Sequence, residues 1–374
     1  MNIPAFDLKR ATARLAEPVA ARWAEQVAAG AFIGGAEVER FERAFAEYLE
    51  VGLGGAGCVG VANGTDALVV ALRALGLEPG DEVIVPAFTF VATGAAVALA
   101  GGVPVFAEVE PDTLSLDVAD AAARVTPRTV GVIGVHLYGR PYDTAALAEL
   151  CRRRGLWQIE DAAQAQGART GGRRVGTLGD LASWSFYPTK NLGAFGDAGA
   201  VTGNDPELLA RVRRIANHGR TEHYLHAEVG TNSRLDALQA TVLALRLTGL
   251  DEANRRRREI AGRYREALAE ASAAGELELL RDPEGTEPVY HQFTLLTDRR
   301  DALKAHLAAA GIGSGIYYPI PLHRQPALER FVPAGLELPV AEAAARRALS
   351  LPMFPELEDG EVERVAAAAA GFFA

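Results

Sequence analysis

Three short segments carry side chains that could do chemistry, and each follows a run of residues typical of a β-strand. Lys190 lies in SWSFYPTKNLGAFGDAGA, Asp161 ends LWQIED, and Asn63-Gly64-Thr65 follows VGVA. A lysine amine is a nucleophile that can hold a carbonyl compound covalently. A carboxylate can pair with a protonated ring nitrogen, and the start of a helix can bind a phosphate ester. Taken together, the three segments predict one site that combines a nucleophilic amine, a carboxylate and an anion-binding helix start.

Each of these features also has a more ordinary explanation when it is taken alone. A lysine among Gly193, Gly196 and Gly199 is more often a surface charge. An aspartate at a strand end often caps the next helix, and the turn at Asn63 has the sequence of a plain capped helix start. Only their occurrence in one chain, in this order, favours the chemical interpretation.

A fourth motif, Gly52-Leu-Gly54-Gly-Ala-Gly57, fits the dinucleotide-binding pattern G-x-G-x-x-G. That pattern requires a strand before it and a helix after it. Here the helix-forming run FERAFAEYLEV precedes it and a strand-like run follows. Nicotinamide binding is therefore not expected.

The elements that must position these residues alternate between strand and helix from about residue 58 to residue 203. The strand-like runs are VGVAN, DEVIVPAF, VPVFAEV, TVGVIGVHLYG, LWQIED, ASWSF and GAVTG. Such alternation predicts an α/β fold whose sheet is mostly parallel and covered on both faces. Ligands bind at the carboxyl ends of the strands in such sheets, where the three segments lie.

The C-terminal part has a different pattern. A helical stretch over about 235–271 becomes charged after Gly249, where we expect it to bend. After it come two strand-like runs, HQFTLLT and GIYYPI, with the helical run RDALKAHLAAAG between them. This predicts a large domain over 1–245, which includes an N-terminal arm, and a small α+β domain over 246–374.

Composition excludes several classes of function. The 374 residues carry a net charge of −10, with a pI near 5.3, which repels nucleic acid. No segment resembles a signal peptide or a membrane span, so we expect a soluble cytoplasmic protein. Cys58 and Cys151 lie in apolar runs without metal-ligand spacing, and we expect buried inert thiols and no metal site.

The motifs resemble those of the sugar-nucleotide aminotransferases of the DegT/StrS type, a branch of the fold-type I pyridoxal 5'-phosphate (PLP) enzymes. The resemblance covers nearly the whole chain and is carried by FIGGAEVERFE, VANGTDALVVALRALGL, DEVIVPAFTFVAT, VHLYGRP, IEDAAQAQGA, SFYPTKNLG, GTNSRLDALQA and YYPIPLH. It implies a large domain with a mostly parallel, mixed seven-stranded sheet and a small α+β C-terminal domain.

The resemblance also implies roles for single residues. PLP would be held by Lys190 through a covalent bond and by Asp161 at the pyridine nitrogen. Gln164 would lie near the phenolic oxygen, and Phe90 would stack on the ring. The phosphate would be held by Gly64, Thr65, Ser185 and Asn232 of the partner subunit. A homodimer with shared active sites is thereby implied. Tyr187, Tyr318 and His323 would contact the substrate. For Phe90 a core position, and for His323 a hydrogen-bonded structural role, stay open.

The implied activity is amino transfer from an amino acid, L-glutamate in most of the family, to a nucleotide-linked keto-sugar. SFYPTKNLGAFGD resembles the subset that acts on 3-keto sugars, because relatives that aminate position 4 more often have histidine where Tyr187 stands. Two alternatives remain. One is a PLP enzyme acting on amino acids alone. The other is a non-catalytic PLP-binding regulator, for which the sequence offers no helix-turn-helix segment.

Overall fold

The protein is described by a computed structural model over residues 2–50 and 57–374. Apart from Gly57, the glycine motif that begins at Gly52 lies outside these residues. Its flanks have the predicted order, because a helix ends at Leu49 and a strand begins at Cys58.

Strands and helices alternate from residue 58 to residue 161, as the sequence predicts, whereas the strands between residues 157 and 202 follow one another without a helix. The described helices are α1 (Leu8–Ala13), α2 (Ala16–Ala29), α3 (Ala36–Leu49), α4 (Gly64–Ala74), α5 (Val91–Leu99), α6 (Val118–Ala123), α7 (Thr144–Arg154), α8 (Pro206–Ala216), α9 (Ala237–Leu247), α10 (Leu250–Ala267), α11 (Ala269–Ala273), α12 (Arg300–Ala309), α13 (Pro339–Arg347) and α14 (Asp359–Gly371). The described strands are β1 (Cys58–Val61), β2 (Glu82–Pro86), β3 (Val103–Ala107), β4 (Thr129–Val135), β5 (Trp157–Asp161), β6 (Arg169–Thr170), β7 (Arg173–Arg174), β8 (Leu181–Ser185), β9 (Gly199–Thr202), β10 (Arg220–Glu222), β11 (Leu225–His226), β12 (Glu278–Leu279), β13 (Thr286–Glu287), β14 (Phe293–Leu296) and β15 (Ala348–Leu351).

The central sheet has seven strands in the order β1-β9-β8-β5-β4-β2-β3. Strand β9 is antiparallel to both of its neighbours, while the other pairs are parallel, so six strands share one direction. The carboxyl ends of β1, β5 and β8 therefore meet at one edge of the sheet. The predicted fold class, a mostly parallel mixed sheet of seven strands, is confirmed.

Capping side chains fix where several of the helices after the strands begin. Asp143 Oδ1 accepts the backbone N–H of Ala146 at 2.9 Å at the start of α7, and Asp205 caps α8, whose first residue is Pro206. An aspartate in this position supplies an acceptor that the first turn lacks, and proline has no N–H that would need one. The loops between strand and helix are thus held at defined lengths.

Aromatic packing against one face of the sheet makes this edge rigid. The Phe45 ring meets the Trp184 ring edge-on at 5.1 Å between centroids, and the Phe41 ring meets that of Phe186 at 5.4 Å. All four side chains are fully buried. Each such burial contributes about 1.5–3 kcal/mol. Strand β8, which ends at Ser185, is thereby anchored by α3.

The C-terminal part forms a second, antiparallel sheet in the order β12-β14-β15. Strand β14 confirms the prediction for HQFTLLT, but GIYYPI is wrong as a strand, because it makes only one bridge, between Gly315 and Ser350, within the described residues. The N-terminal residues join this part, since Ile3 pairs with Ile312. The division at 245/246 stays a prediction.

The predicted long helical stretch is interrupted after α9. Helix α10 begins at Leu250, directly after Gly249, so the interruption lies where a bend is expected. A second interruption separates α10 from α11 at Leu268, whose side chain is buried. In the part of the chain that the structure describes, no helix combines the length and apolar character needed to cross a bilayer.

Candidate active site

A cavity of about 510 Å³ lies at the carboxyl ends of the sheet strands, between the sheet and the C-terminal part. Most of the predicted site residues line it, namely Gly64, Thr65, Phe90, Asp161, Gln164, Ser185, Tyr187, Lys190 and Tyr318. They come from five separate loops or helix starts. The residues that the strand-end rule selected from the sequence thus lie around one cavity, and their roles there stay a prediction.

Lys190 lies in a tight turn after β8. Its backbone N–H donates to the carbonyl of Tyr187 at 2.8 Å, and the turn then continues through Gly193. A Cβ at Gly193 would lie 2.4 Å from the carbonyl oxygen of Pro188, so only glycine fits there. Among the described residues, no hydrogen bond or ion pair holds the Lys190 amine. The side chain is thus presented to the cavity by a turn of fixed shape.

Burial lowers the pKa of Lys190 to about 8, and the nearby Asp161 carboxyl opposes that shift. At pH 7 roughly one amine in ten is then neutral, compared with on the order of one in three thousand for an ordinary lysine. A neutral amine is the form that attacks carbonyl carbon. The location of Lys190 therefore makes it a usable nucleophile and base.

Asp161 is buried at the end of β5. Its Oδ2 accepts the hydroxyl of Thr93 at 2.8 Å, and its Oδ1 accepts the backbone N–H of Ala163 at 3.3 Å. Burial raises the pKa of this carboxyl, while Thr93, Ala163 and the charge of Lys190 act in the opposite direction. Because these groups offset only part of the cost of burying the carboxylate charge, Asp161 favours a cationic partner in the cavity.

Gln164 is fixed in orientation by two hydrogen bonds. Its Oε1 accepts the backbone N–H of Tyr138 at 2.6 Å, and its Nε2 donates to the hydroxyl of Tyr318 at 2.9 Å. Burial raises the pKa of Tyr318 well above its ordinary value. Because the Tyr318 oxygen already accepts a hydrogen bond from Gln164, its own proton is available to a group in the cavity.

The start of α4 has the geometry that could hold an anion. Asn63 caps the helix by accepting the backbone N–H of Asp66 at 2.9 Å, and within the described chain the N–H groups of Gly64 and Thr65 have no acceptor. A Cβ at Gly64 would lie 2.6 Å from the Cβ of Ser185. The helix start and the Ser185 hydroxyl are therefore close together, with free donors and the positive end of a helix dipole.

Two aromatic side chains line the cavity while still open to solvent. Phe90 is 52% exposed and Tyr187 is 54% exposed. The Phe90 ring lies 5.7 Å from that of Tyr318, centroid to centroid. Aromatic rings of this size are seldom left uncovered in a cavity wall, and a flat ligand ring would cover them. Phe90 is therefore not a core phenylalanine.

Two predicted residues lie outside the cavity lining. His323 is buried, and its Nε2 lies 3.0 Å from Glu342 Oε1, which is the arrangement of the structural alternative and not of a substrate contact. Asn232 is exposed and pairs its backbone with Asn217. That exposure leaves it free to contact a second chain.

Other residues of the site are not predicted from the sequence. Thr93, which donates its hydroxyl to Asp161 from behind the cavity wall, lies one turn into α5. The lining residues His291, Gln292 and Ser350 come from the C-terminal sheet region. Thr93 could have been found from its spacing, because it lies one helical turn after Phe90 and so on the same side of the helix. The others required the tertiary structure.

Comparison with known proteins gives consistent matches over nearly the whole chain. A family model described as the DegT/DnrJ/EryC1/StrS aminotransferase family matches residues 15–370. The dTDP-3-amino-3,4,6-trideoxy-alpha-D-glucose transaminase of Streptomyces venezuelae is 46% identical over 364 residues, 97% of this chain and 94% of the relative.

Two further matches bear on the alternatives and the cofactor. A pleiotropic regulatory protein of Geobacillus stearothermophilus is 42% identical over 374 residues, 100% of this chain and 99% of the relative. The crystal structure of NtdA from Bacillus subtilis with bound cofactor PMP superimposes with a TM-score of 0.92 at 32% identity, over 100% of this chain and 85% of that chain.

Proposed function

The chain belongs to the DegT/DnrJ/EryC1/StrS aminotransferase family, and from that premise we propose that it transfers an amino group from L-glutamate to a nucleotide-linked keto-sugar, at a 3-keto position in preference to a 4-keto one. The observation that carries the proposal is the convergence of Lys190, Asp161 and the start of α4 on one cavity. The name of the Streptomyces relative, a 3-amino-sugar transaminase, supports the position.

The family depends on PLP, and the residues of the cavity fit that group. The free N–H groups of Gly64 and Thr65 with the Ser185 hydroxyl suit a phosphate ester. The buried Asp161 carboxyl, whose pKa burial raises, suits a cationic ring nitrogen that would offset the cost of its charge. The uncovered ring of Phe90 would stack on the cofactor, and Gln164 would donate near its phenolic oxygen.

When bound, PLP supplies an electron-withdrawing ring that makes the proton on the donor's α-carbon acidic. The chain's own part is to hold and move protons. Lys190 Nζ, with a pKa of about 8, can accept a proton as the amine and return it as the ammonium near neutral pH. The Asp161 carboxylate stabilises the positive charge of the ring nitrogen. The Tyr318 hydroxyl donates a hydrogen bond to a substrate oxygen.

Tyr187 and Tyr318 are the substrate contacts we propose, because both line the cavity and carry hydroxyl groups suited to a sugar. A tyrosine in place of the histidine of 4-keto relatives at position 187 favours the 3-keto class.

We also propose a homodimer in which Asn232 of the partner subunit contacts the phosphate. Exposed apolar side chains in the same segment support this assembly, since Tyr224 is 85% and Val229 is 86% exposed. A protein of this kind would act in the cytoplasm, without nucleic acid or membrane partners.

The test is a substrate panel. The purified PLP-loaded enzyme is incubated with L-glutamate and 3-keto or 4-keto nucleotide sugars, and 2-oxoglutarate release is measured. We expect turnover with a 3-keto sugar, and none with the matched sugar that carries a hydroxyl group at position 3. Faster turnover with 4-keto sugars would contradict the positional assignment. Inactivity with every sugar would favour the regulatory function that the name of the Geobacillus relative suggests.

A further inference from the structure

A buried chain of amides ends at a histidine in the wall of the active-site cavity. His291 lines the cavity, and its Nδ1 lies 3.2 Å from Asn191 Oδ1. Asn191 Nδ2 donates to Asn254 Oδ1 at 2.9 Å, and Asn254 Nδ2 donates to the carbonyl oxygen of Gln166 at 2.8 Å. All three side chains are buried. These hydrogen bonds thus join the C-terminal part, the turn after Lys190 and helix α10.

The hydrogen bonds of Asn191 determine which nitrogen of His291 carries the proton. Asn191 Nδ2 also donates to the carbonyl oxygen of Val289 at 3.0 Å. A backbone carbonyl can only accept, so the amide nitrogen of Asn191 must face it, and Asn191 Oδ1 must face His291. Since that oxygen can only accept as well, His291 Nδ1 is the donor. A neutral His291 therefore has an unprotonated Nε2.

The neutral form is strongly favoured at this place. Burial lowers the pKa of His291 well below its ordinary value, and the charges of Lys190 and Arg257 lower it further. His291 and Lys190 line the same cavity, and Asn191, which holds the ring, is the chain neighbour of Lys190. Within the described residues the Nε2 atom has no hydrogen-bond partner of its own, so a neutral acceptor is available in the cavity that Lys190 also lines.

We propose that His291 is a positioning residue for Lys190, whose free amine donates one N–H to His291 Nε2 and so turns its lone pair toward the substrate. A primary amine has two N–H groups and one lone pair, and it rotates freely unless one N–H is held. A carboxylate acceptor would raise the pKa of the lysine, whereas a neutral imidazole leaves the amine form accessible. The proposal rests on the proposed role of Lys190 as the proton-transferring amine.

The first test reads the tautomer directly. Long-range ¹H–¹⁵N spectra of the ¹⁵N-histidine-labelled holoenzyme, assigned with a His291→Gln variant, should give a neutral ring with its proton on Nδ1. A proton on Nε2, or a doubly protonated ring, would overturn the proposal. This measurement needs no substrate and no turnover.

The second test separates a structural role from a positioning role. His291→Asn retains an amide N–H for Asn191 but no acceptor at the Nε2 position, whereas His291→Gln can restore that acceptor. The readout is exchange of the glutamate α-proton with D₂O in the PLP-loaded enzyme without sugar. We expect His291→Asn to slow exchange about tenfold, which corresponds to about 1.4 kcal/mol, with an unchanged KM for glutamate. His291→Gln should recover part of the rate.

The control is His306→Asn, because His306 is exposed on α12 and is not among the residues that line the cavity. Equal exchange rates for His291→Asn and the unmodified enzyme would refute the positioning role. Absence of exchange in the unmodified enzyme would instead contradict the proposed function of Lys190, so the two failures are distinguishable.

Discussion

Replacing Gly64 with alanine tests the phosphate site at the start of α4. Gly64 is the first residue of that helix, and its φ angle is not positive, so the backbone accepts alanine. Alanine is also the better helix former. The added Cβ would lie only 2.6 Å from the Cβ of Ser185 and 3.1 Å from its Cα. The cost of the substitution is thus confined to the contact with Ser185.

The size of the effect follows from that contact. Ordinary carbon–carbon contacts lie at about 3.5–4.0 Å, so the two elements must separate by roughly 1 Å. Ser185 is held by the pairing of β8 with β9 and cannot follow freely. The change therefore pulls the helix start away from the Ser185 hydroxyl and removes about one hydrogen bond to the phosphate. A bond to a charged group contributes about 1.5–3 kcal/mol, which predicts PLP binding weakened roughly 10- to 150-fold.

The assay is a PLP titration followed by absorbance, with unfolding measured in parallel. Gly262→Ala is the matched control, because Gly262 lies within α10 and a Cβ there meets nothing within 4 Å. Ser185→Ala should weaken binding by a similar factor, and the Gly64→Ala/Ser185→Ala double variant should lose less than the sum, since both act on one contact. Undiminished PLP affinity in Gly64→Ala would refute this account of the phosphate site.

Two further predictions concern single side chains. In the cofactor-free chain, the rate at which an amine-reactive reagent labels Lys190 should rise with pH through a midpoint of about 8, because burial lowers the pKa of the Lys190 amine. Peptide mapping compares its labelling with that of the exposed Lys9 and Lys304. A midpoint near 10.5 would contradict the burial argument. His323→Asn, which has no polar group at the Nε2 position, should lower the free energy of unfolding by about 1–2 kcal/mol through its lost bond to Glu342, without changing the KM for the sugar nucleotide. A raised KM with unchanged stability would restore His323 as a substrate contact.

The sheet and its strand-end residues could be predicted because their signals are local. Asp161 and Ser185 end hydrophobic strands, and the order of strands and helices determines that their carboxyl ends share an edge. Lys190 follows β8 by a turn whose glycines are visible in the sequence. For these residues, the local pattern and the parallel topology are sufficient.

The remaining wall of the cavity depends on tertiary packing. His291 and Ser350 enter it because the small antiparallel sheet packs at the mouth of the large one, and no local pattern determines that contact. GIYYPI has the β-branched and aromatic residues of a strand, yet Tyr318 is held by Gln164 and the segment runs irregularly along the cavity. Packing around the site outweighed strand propensity there.

Covalent trapping of PLP tests the central claim most directly. The chain contains only three lysines, Lys9, Lys190 and Lys304, so borohydride reduction of the PLP-loaded enzyme followed by peptide mapping gives an unambiguous answer. We predict one pyridoxyl group per chain on Lys190, with Lys9→Arg and Lys304→Arg unaffected and Lys190→Arg losing both the label and all amino transfer. A label on another lysine, or full activity in Lys190→Arg, would contradict the assignment of Lys190 as the residue that carries the cofactor.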